Sequence, residues 1–352
     1  MERPAGPLAE AGHDPPRRRS RGDGARPPGR GAPSAPPRSA VTAVASRVRH
    51  FLSIADLDRE ELELLLEDSA KLKADRLSRD LSGRTVALIF EKPSLRTRLS
   101  FDVGIAQLGG HGVYLSPAEV GLGRRESVSD VARVASRMAD AVVLRVNAHE
   151  TIEEFARYSD VPVINGLSDL SHPCQGLADI FTIRERKGPD LRDVAIAYIG
   201  DGNNVAHSLM LCTAKTGASL RIATPAGYEP LAKYRELAAA EARSSGGRVT
   251  IGNDPVAAVT GADVVYTDVW TSMGQEQEYE RRRRAFQGFQ LNAALLARAK
   301  RDAIVLHDLP AHRGEEITDE VIDGPQSAVF DQAENRLHTE KALLCWLLGG
   351  ER

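Results

Sequence analysis

Four groups of residues in this chain have the types and spacing to do chemistry. The first is Asp268-Val-Trp-Thr-Ser272-Met273-Gly274, directly after the apolar run 262–267. A carboxylate at the carboxyl end of a strand, with a hydroxyl four residues on, can grip the ammonium of a zwitterion. The second is Glu91-Lys-Pro-Ser94-Leu95-Arg96-Thr97-Arg98, which follows a strong apolar run and opens a helix. Its hydroxyls, guanidinium forks and free helix N–H groups make a phosphate site without a glycine loop. A capped helix with solvated arginines is the simpler reading, but arginines at a helix start oppose its dipole unless an anion is present. The third is His172-Pro173-Cys174-Gln175. A neutral imidazole and a carboxamide can donate to a carbonyl oxygen and accept from an amide, which suits a carbamoyl group. His172 and Cys174 have no second ligand pair elsewhere, so no metal is indicated.

The fourth group closes two later strands. Ile199-Gly200-Asp201-Gly202-Asn203-Asn204 imitates a dinucleotide fingerprint but lacks the third glycine, and no acidic residue ends the next strand. Asn204 is better placed there to bind a substrate carboxylate or ammonium. His307-Asp308-Leu309-Pro-Ala-His-Arg-Gly points the same way, with a proline turn as the plainer alternative. Arg145, also at a strand end, is ambiguous alone, because such arginines are usually solvated.

The elements that must position these groups alternate along the chain. Strand-like runs lie at 85–90, 113–115, 141–146 and 161–165, with helical segments at 62–77, 98–108, 128–138 and 152–158. After a helix over 179–186 and the breaker Lys187-Gly-Pro, a second series has strands at 194–199, 220–223, 249–251, 264–267 and 304–306. Repeated strand-helix-strand order implies an α/β fold of two doubly wound parallel-sheet domains joined by interdomain helices. The expected divisions are 1–46, 47–187, 188–330 and 331–352, the last a C-terminal helix returning to the first domain. Residues 1–46 are rich in Pro, Gly, Arg, Ser and Ala, and are expected to be a disordered extension.

Length and charge exclude several classes. At 352 residues the chain can build two cores, and its 42% hydrophobic and 27% charged content is that of a soluble globular protein. A formal net charge of −3 gives no case for nucleic acid or anionic membrane. No apolar run approaches the ~20 residues of a bilayer span. The three cysteines form no CxxC pair and no disulfide framework, which fits a reducing cytoplasm.

Taken in order, these motifs resemble the ornithine carbamoyltransferase family over about residues 49–348. Ser94 to Arg98 matches its Ser-x-Arg-Thr-Arg signature, and His172 to Gln175 its carbamoyl-binding motif. Asp268 with Ser272-Met273-Gly274 looks like its ornithine loop, and Ala333-Glu-Asn-Arg336 like the segment whose arginine completes the carbamoyl phosphate site. The resemblance implies carbamoyl phosphate held by Ser94, Leu95, Arg96, Thr97, Gly121, Arg145, His172, Pro173, Cys174, Gln175, Leu309 and Arg336. It implies L-ornithine held by Asn204, Asp268, Ser272, Met273 and Asp308, with catalysis by Arg96, Thr97, Arg145, His172 and Asp308. The products would be citrulline and phosphate, as in arginine biosynthesis. No metal or other cofactor is implied, and the expected assembly is a cytoplasmic homotrimer or a higher multiple.

Three positions depart from the pattern. Leu95 replaces Thr or Met. Gly121 stands where the family often has Gln or His reaching from a neighbouring subunit to the phosphate, with Arg124 and Arg125 as possible substitutes. Asp308 replaces the cysteine of a His-Cys-Leu-Pro motif. A carboxylate there can take a proton from the δ-ammonium, but beside a dianionic substrate its own pKa is expected to rise. Two alternatives stay open: a carbamoyltransferase for another amine or amino acid, against which Asp268 and Asn204 argue, and a catalytically weakened binding paralogue, which Gly121 and Asp308 support.

Overall fold

The computed structural model describes residues 48–349, Met273 excepted. The expected extension over 1–46 and the role given to Met273 lie outside the described residues.

Short apolar runs make the centre of each half. β1 (Thr85–Phe90) is buried from Val86 onward and β3 (Ala141–Arg145) along its whole length, as strands covered on both faces must be. With β2 (His111–Leu115) and β4 (Val163–Leu167) they form a parallel sheet in the order β2-β1-β3-β4. A second parallel sheet has the order β7-β6-β5-β8-β9. Its strands are β5 (Ala195–Ile199), β6 (Ser219–Ala223), β7 (Arg248–Gly252), β8 (Val264–Thr267) and β9 (Ile304–Leu306). The two α/β sheets expected from the alternation are present.

Several boundaries differ from the expected runs by a few residues, and two of the differences have a clear physical reason. β4 runs two residues further toward Leu167, because the register with β3 shifts between Leu144 and Arg145 and pairs Arg145 with Leu167. The helix expected from 179 instead spans Pro173–Lys187, so Pro173, Cys174 and Gln175 form its first turn. Proline at that first position lacks only an N–H the helix would leave unpaired anyway.

Strand order decides where a ligand can bind. In the first sheet the order reverses between β1 and β3, where Phe90 and Arg145 are register partners. In the second it reverses between β5 and β8, where Ile199 pairs with Thr267. Crevices open at the carboxyl ends of strands at such switch points, and both switch points carry the motifs singled out above.

The helices Pro173–Lys187 and Asn204–Thr216 and the long helix Val329–Leu348 share one apolar core with both sheets, including Leu88, Ile180, Tyr198, Leu209 and Leu343. Helix Val329–Leu348 packs against helices Arg59–Ala74, Leu95–Gln107 and Pro173–Lys187. Its Lys341 Nζ donates to the carbonyls of Leu72 at 2.8 Å and Arg76 at 3.0 Å, satisfying the end of Arg59–Ala74. No described helix is long and apolar enough to cross a membrane.

Candidate active site

A cavity of about 740 Å³ is lined by residues that follow both switch points. On one wall the helix Leu95–Gln107 begins. Its N-cap Ser94 accepts the Thr97 N–H at 3.2 Å, which turns the chain so that Arg96 and Thr97 face the cavity. Arg145 from the end of β3 and Arg336 from helix Val329–Leu348 each donate to Thr97 Oγ1 at 3.3 Å. An oxygen that accepts twice leaves its own O–H to donate into the cavity.

Three guanidinium groups therefore crowd one wall. Burial, with Arg336 and Arg96 close by, pulls the Arg145 pKa down to about 10. It stays charged at neutral pH, so the cluster is an excess of positive charge matched to a multiply charged anion. Burial and the same arginines hold His172 well below its ordinary value, which makes it a neutral imidazole. His172 Nδ1 and Arg145 Nε are buried with no hydrogen-bond partner among the described residues.

Arg336 is fixed from behind. Its Nε and Nη2 donate to Glu340 Oε1 at 2.9 and 2.7 Å, and its Nη1 donates to Gln175 Oε1 at 2.9 Å. Gln175 in turn donates to Asp179 Oδ1 at 2.8 Å. Asp179 also accepts from Gln332 at 2.7 Å, and burial pushes its pKa up to about 7.

The facing wall is acidic. Asp268 follows β8, and its Oδ2 accepts from Asn203 Nδ2 at 2.7 Å while Oδ1 accepts the Val269 N–H at 2.7 Å. Asp308 follows β9 and lies within 4.8 Å of it, beside His307. Burial, then the charge of Asp308, raises the Asp268 pKa well above the usual carboxylate range. Burial acts the same way on Asp308, but His307 and Asp268 beside it and Arg96 across the cavity outweigh burial and lower its pKa. Of the two acids, Asp268 is the one whose pKa is raised; the rise expected for Asp308 from sequence applies beside a bound dianion. The two carboxylates therefore titrate as a coupled pair.

Twelve of the residues singled out in the sequence line this cavity: Ser94, Leu95, Arg96, Thr97, Arg145, His172, Asn204, Asp268, Ser272, Asp308, Leu309 and Arg336. Pro173, Cys174, Gln175 and Gly121 do not line it. Cys174 and Gln175 point into the protein, Cys174 Sγ donating to the Asn165 carbonyl and Gln175 holding Arg336. Gly121 ends the short helix Pro117–Val120 with φ 59°, a conformation that suits glycine. Asn204 lines the cavity but spends its amide on the Ser168 carbonyl at 2.7 Å, so the asparagine that touches Asp268 is its neighbour Asn203. Gly202 has a reason unrelated to dinucleotides: a Cβ there would meet Pro230 N at 2.2 Å.

The sequence reading also missed a buried pair on the cavity wall, Asp201 and Arg282. An arginine inside the run Arg281 to Arg284 reads as a solvated surface, and only its position as the sole buried residue of that helix sets it apart.

Comparisons with known proteins agree with this architecture. Residues 49–185 match the carbamoyl-P binding domain of aspartate/ornithine carbamoyltransferase, and residues 192–347 match its Asp/Orn binding domain. An ornithine carbamoyltransferase of Acidothermus cellulolyticus is 56% identical over 303 residues, covering 86% of this chain and 97% of that protein. An anabolic ornithine carbamoyltransferase of Pyrococcus furiosus is 52% identical over 307 residues, covering 86% and 97%. The solved ornithine carbamoyltransferase structure from Pyrococcus furiosus superimposes with a TM-score of 0.84 at 52% identity, covering 86% of this chain and 98% of that one. The chain belongs to the aspartate/ornithine carbamoyltransferase family.

Proposed function

We propose that this chain transfers the carbamoyl group of carbamoyl phosphate to the δ-amine of L-ornithine, giving L-citrulline and phosphate. One observation carries the reading: a cavity with three guanidinium groups on one wall and two carboxylates on the other, at two sheet switch points. The basic wall suits a phosphate dianion, and the acidic wall suits an amino acid with a second ammonium.

In this reading Ser94, Arg96 and Thr97 hold the phosphate at the helix start, where dipole and guanidinium act together. Arg145, His172 and Thr97 surround the carbamoyl oxygen, and Arg336, set by Gln175 and Glu340, spans phosphate and carbamoyl. Asp268 and Ser272 hold the amino-acid head group, with Asn203 orienting Asp268. Asp308 takes one proton from the δ-ammonium, and the freed nitrogen lone pair attacks the carbonyl carbon. Charge on the oxygen of the tetrahedral intermediate meets groups already aimed at it. The carbon–oxygen bond to phosphate then breaks, and phosphate departs with the second nitrogen proton. Positioning and preorganised charge supply the acceleration.

The same reading takes the protein to be a cytoplasmic homotrimer that makes citrulline for arginine synthesis. Supporting it, Leu95 and Leu99 are 74% and 58% exposed beside the phosphate-binding helix start, as residues facing another subunit would be. Purified full-length protein should form citrulline and phosphate in equal amounts from carbamoyl phosphate and L-ornithine, and should use putrescine and L-lysine far less. Absence of citrulline would refute the assignment, and a preference for putrescine would transfer it to another acceptor.

A further inference from the structure

Arg282 sits in the short helix Tyr279–Ala285, where its neighbours Arg281, Arg283 and Arg284 are not buried. Its own side chain is 9% exposed, and that of its partner Asp201 is 8% exposed. Nη1 donates to Asp201 Oδ2 at 2.8 Å and to the Trp270 carbonyl at 3.1 Å. Nε donates to Glu278 Oε2 at 3.0 Å, and the guanidinium carbon lies 5.1 Å from the Tyr228 ring centroid.

These partners come from three separate cavity-lining segments. Asp201 belongs to the turn after β5, two residues before the Asn203 that holds Asp268. Trp270 lies two residues beyond Asp268 and two before Ser272. Tyr228 belongs to the segment after β6, which also accepts the Gly202 N–H at 2.8 Å. One guanidinium thus ties the turn behind Asp268 to the loop in front of it.

A buried ion pair is weak as a source of stability, because apolar residues of similar volume often do as well. What apolar residues could not do is fix two loops, those of Asp201 and Trp270, at directed hydrogen-bond distances. We propose that Arg282, through Asp201 and Trp270, is a positioning residue for the acceptor amino acid: it holds the Asp268 to Ser272 segment where it can receive the α-ammonium and carboxylate. The proposal rests on the ornithine reading of the site.

The test measures citrulline formation by the full-length protein, varying each substrate against saturating partner, with thermal unfolding alongside. In Arg282→Met the ornithine KM should rise about 10–100-fold, the scale on which small misplacements act. The carbamoyl phosphate KM should stay within about twofold, because no phosphate-side group touches Arg282. Arg282→Lys keeps a charge for Asp201 but cannot span to the Trp270 carbonyl, so its ornithine KM should lie between wild type and Arg282→Met. If Arg282→Met does not fold, Arg282→Lys decides: a raised ornithine KM at unchanged carbamoyl phosphate KM supports the role, and unchanged kinetics overturn it. Equal rises in both KM values would make Arg282 merely structural and overturn it as well. Wild type that forms no citrulline would overturn the function and this proposal together, whereas an active wild type indistinguishable from Arg282→Met overturns this proposal alone.

Discussion

Asp268 and Asp308 bring carboxylate oxygens within 4.8 Å of each other at the carboxyl ends of the adjacent strands β8 and β9. Neighbouring parallel strands place the residues that follow them side by side, so an aspartate at 308 makes a pair of acids with Asp268 rather than a lone one. Two carboxylates this close, one buried and one half-buried, cannot both ionise at ordinary cost. A cationic substrate would remove that cost by neutralising the second charge.

The pH dependence follows from the sign of the Asp268 shift. Its pKa is raised by burial and by Asp308, so in the free chain it holds a proton over pH values where an ordinary aspartate is ionised. An ammonium binds the ionised pair, so ornithine kcat/KM should be low at acid pH, rise as pH passes through the raised pKa, and then level. In Asp308→Asn the neighbouring charge is gone, the Asp268 pKa falls, and the acid limb should move to lower pH while kcat drops for want of the proton acceptor. Asp308→Cys should keep turnover but also move the acid limb. Profiles that superimpose on wild type in both variants would show that the two acids do not titrate together.

Asp268→Asn separates the two walls of the site. The carboxamide keeps the size of the side chain and can still meet Asn203, but it offers no charge to an ammonium. Ornithine kcat/KM should fall by about 2–4 kcal/mol in transition-state terms, the range for losing a buried hydrogen-bonded charge partner. Carbamoyl phosphate binding, measured by protection against thermal unfolding, should remain near wild type. Equal loss of both ligands would point to a disturbed fold instead.

Which parts of this arrangement could be read from sequence follows the range of the interactions. The two sheets were legible because each strand is a short apolar run closed by turn residues, as at 85–90 and 264–267. The phosphate wall was legible because Ser94, Arg96 and Thr97 lie in one helical turn, and local spacing fixes what they face. The support behind it was not. Asn203 meets Asp268 across 65 residues, Arg282 meets Asp201 across 81, and Arg336 meets Thr97 across 239. No periodicity encodes such pairs. Strand order, which sets the switch points, depends on crossover packing and brings them together only in the folded chain.

Arg96→Lys tests whether the helix start grips a dianion by its fork. Arg96 lines the cavity with Asp308; burial lowers its pKa, Asp308 offsets part of that effect, and Arg336 adds to it. A lysine retains the charge but meets phosphate at one point, without the planar two-donor match. The expected loss is about 2–4 kcal/mol in kcat/KM for carbamoyl phosphate. Citrulline formation at the wild-type rate would remove Arg96 from the phosphate site.

Glu340 is expected to matter through Arg336, although it lines no part of the cavity. Both side chains are almost fully buried, 1% exposed for Glu340 and 2% for Arg336. Removing one member leaves the other as a buried, unpaired charge, and here that charge would sit beside Arg145 and Arg96. Glu340→Ala should therefore lower stability by about 3–5 kcal/mol, read as a shift in the urea midpoint at constant slope. Glu340→Gln keeps an acceptor for the guanidinium and fills the same volume, so it should cost less. In Glu340→Ala Arg336 loses both contacts to Glu340 Oε1, and in Glu340→Gln it keeps an acceptor without its charge, so carbamoyl phosphate KM should rise in both, more in Glu340→Ala, while the ornithine KM holds. A Glu340→Gln protein with wild-type carbamoyl phosphate KM would show that Gln175 and Thr97 suffice to aim Arg336, and that the pair with Glu340 serves only the fold.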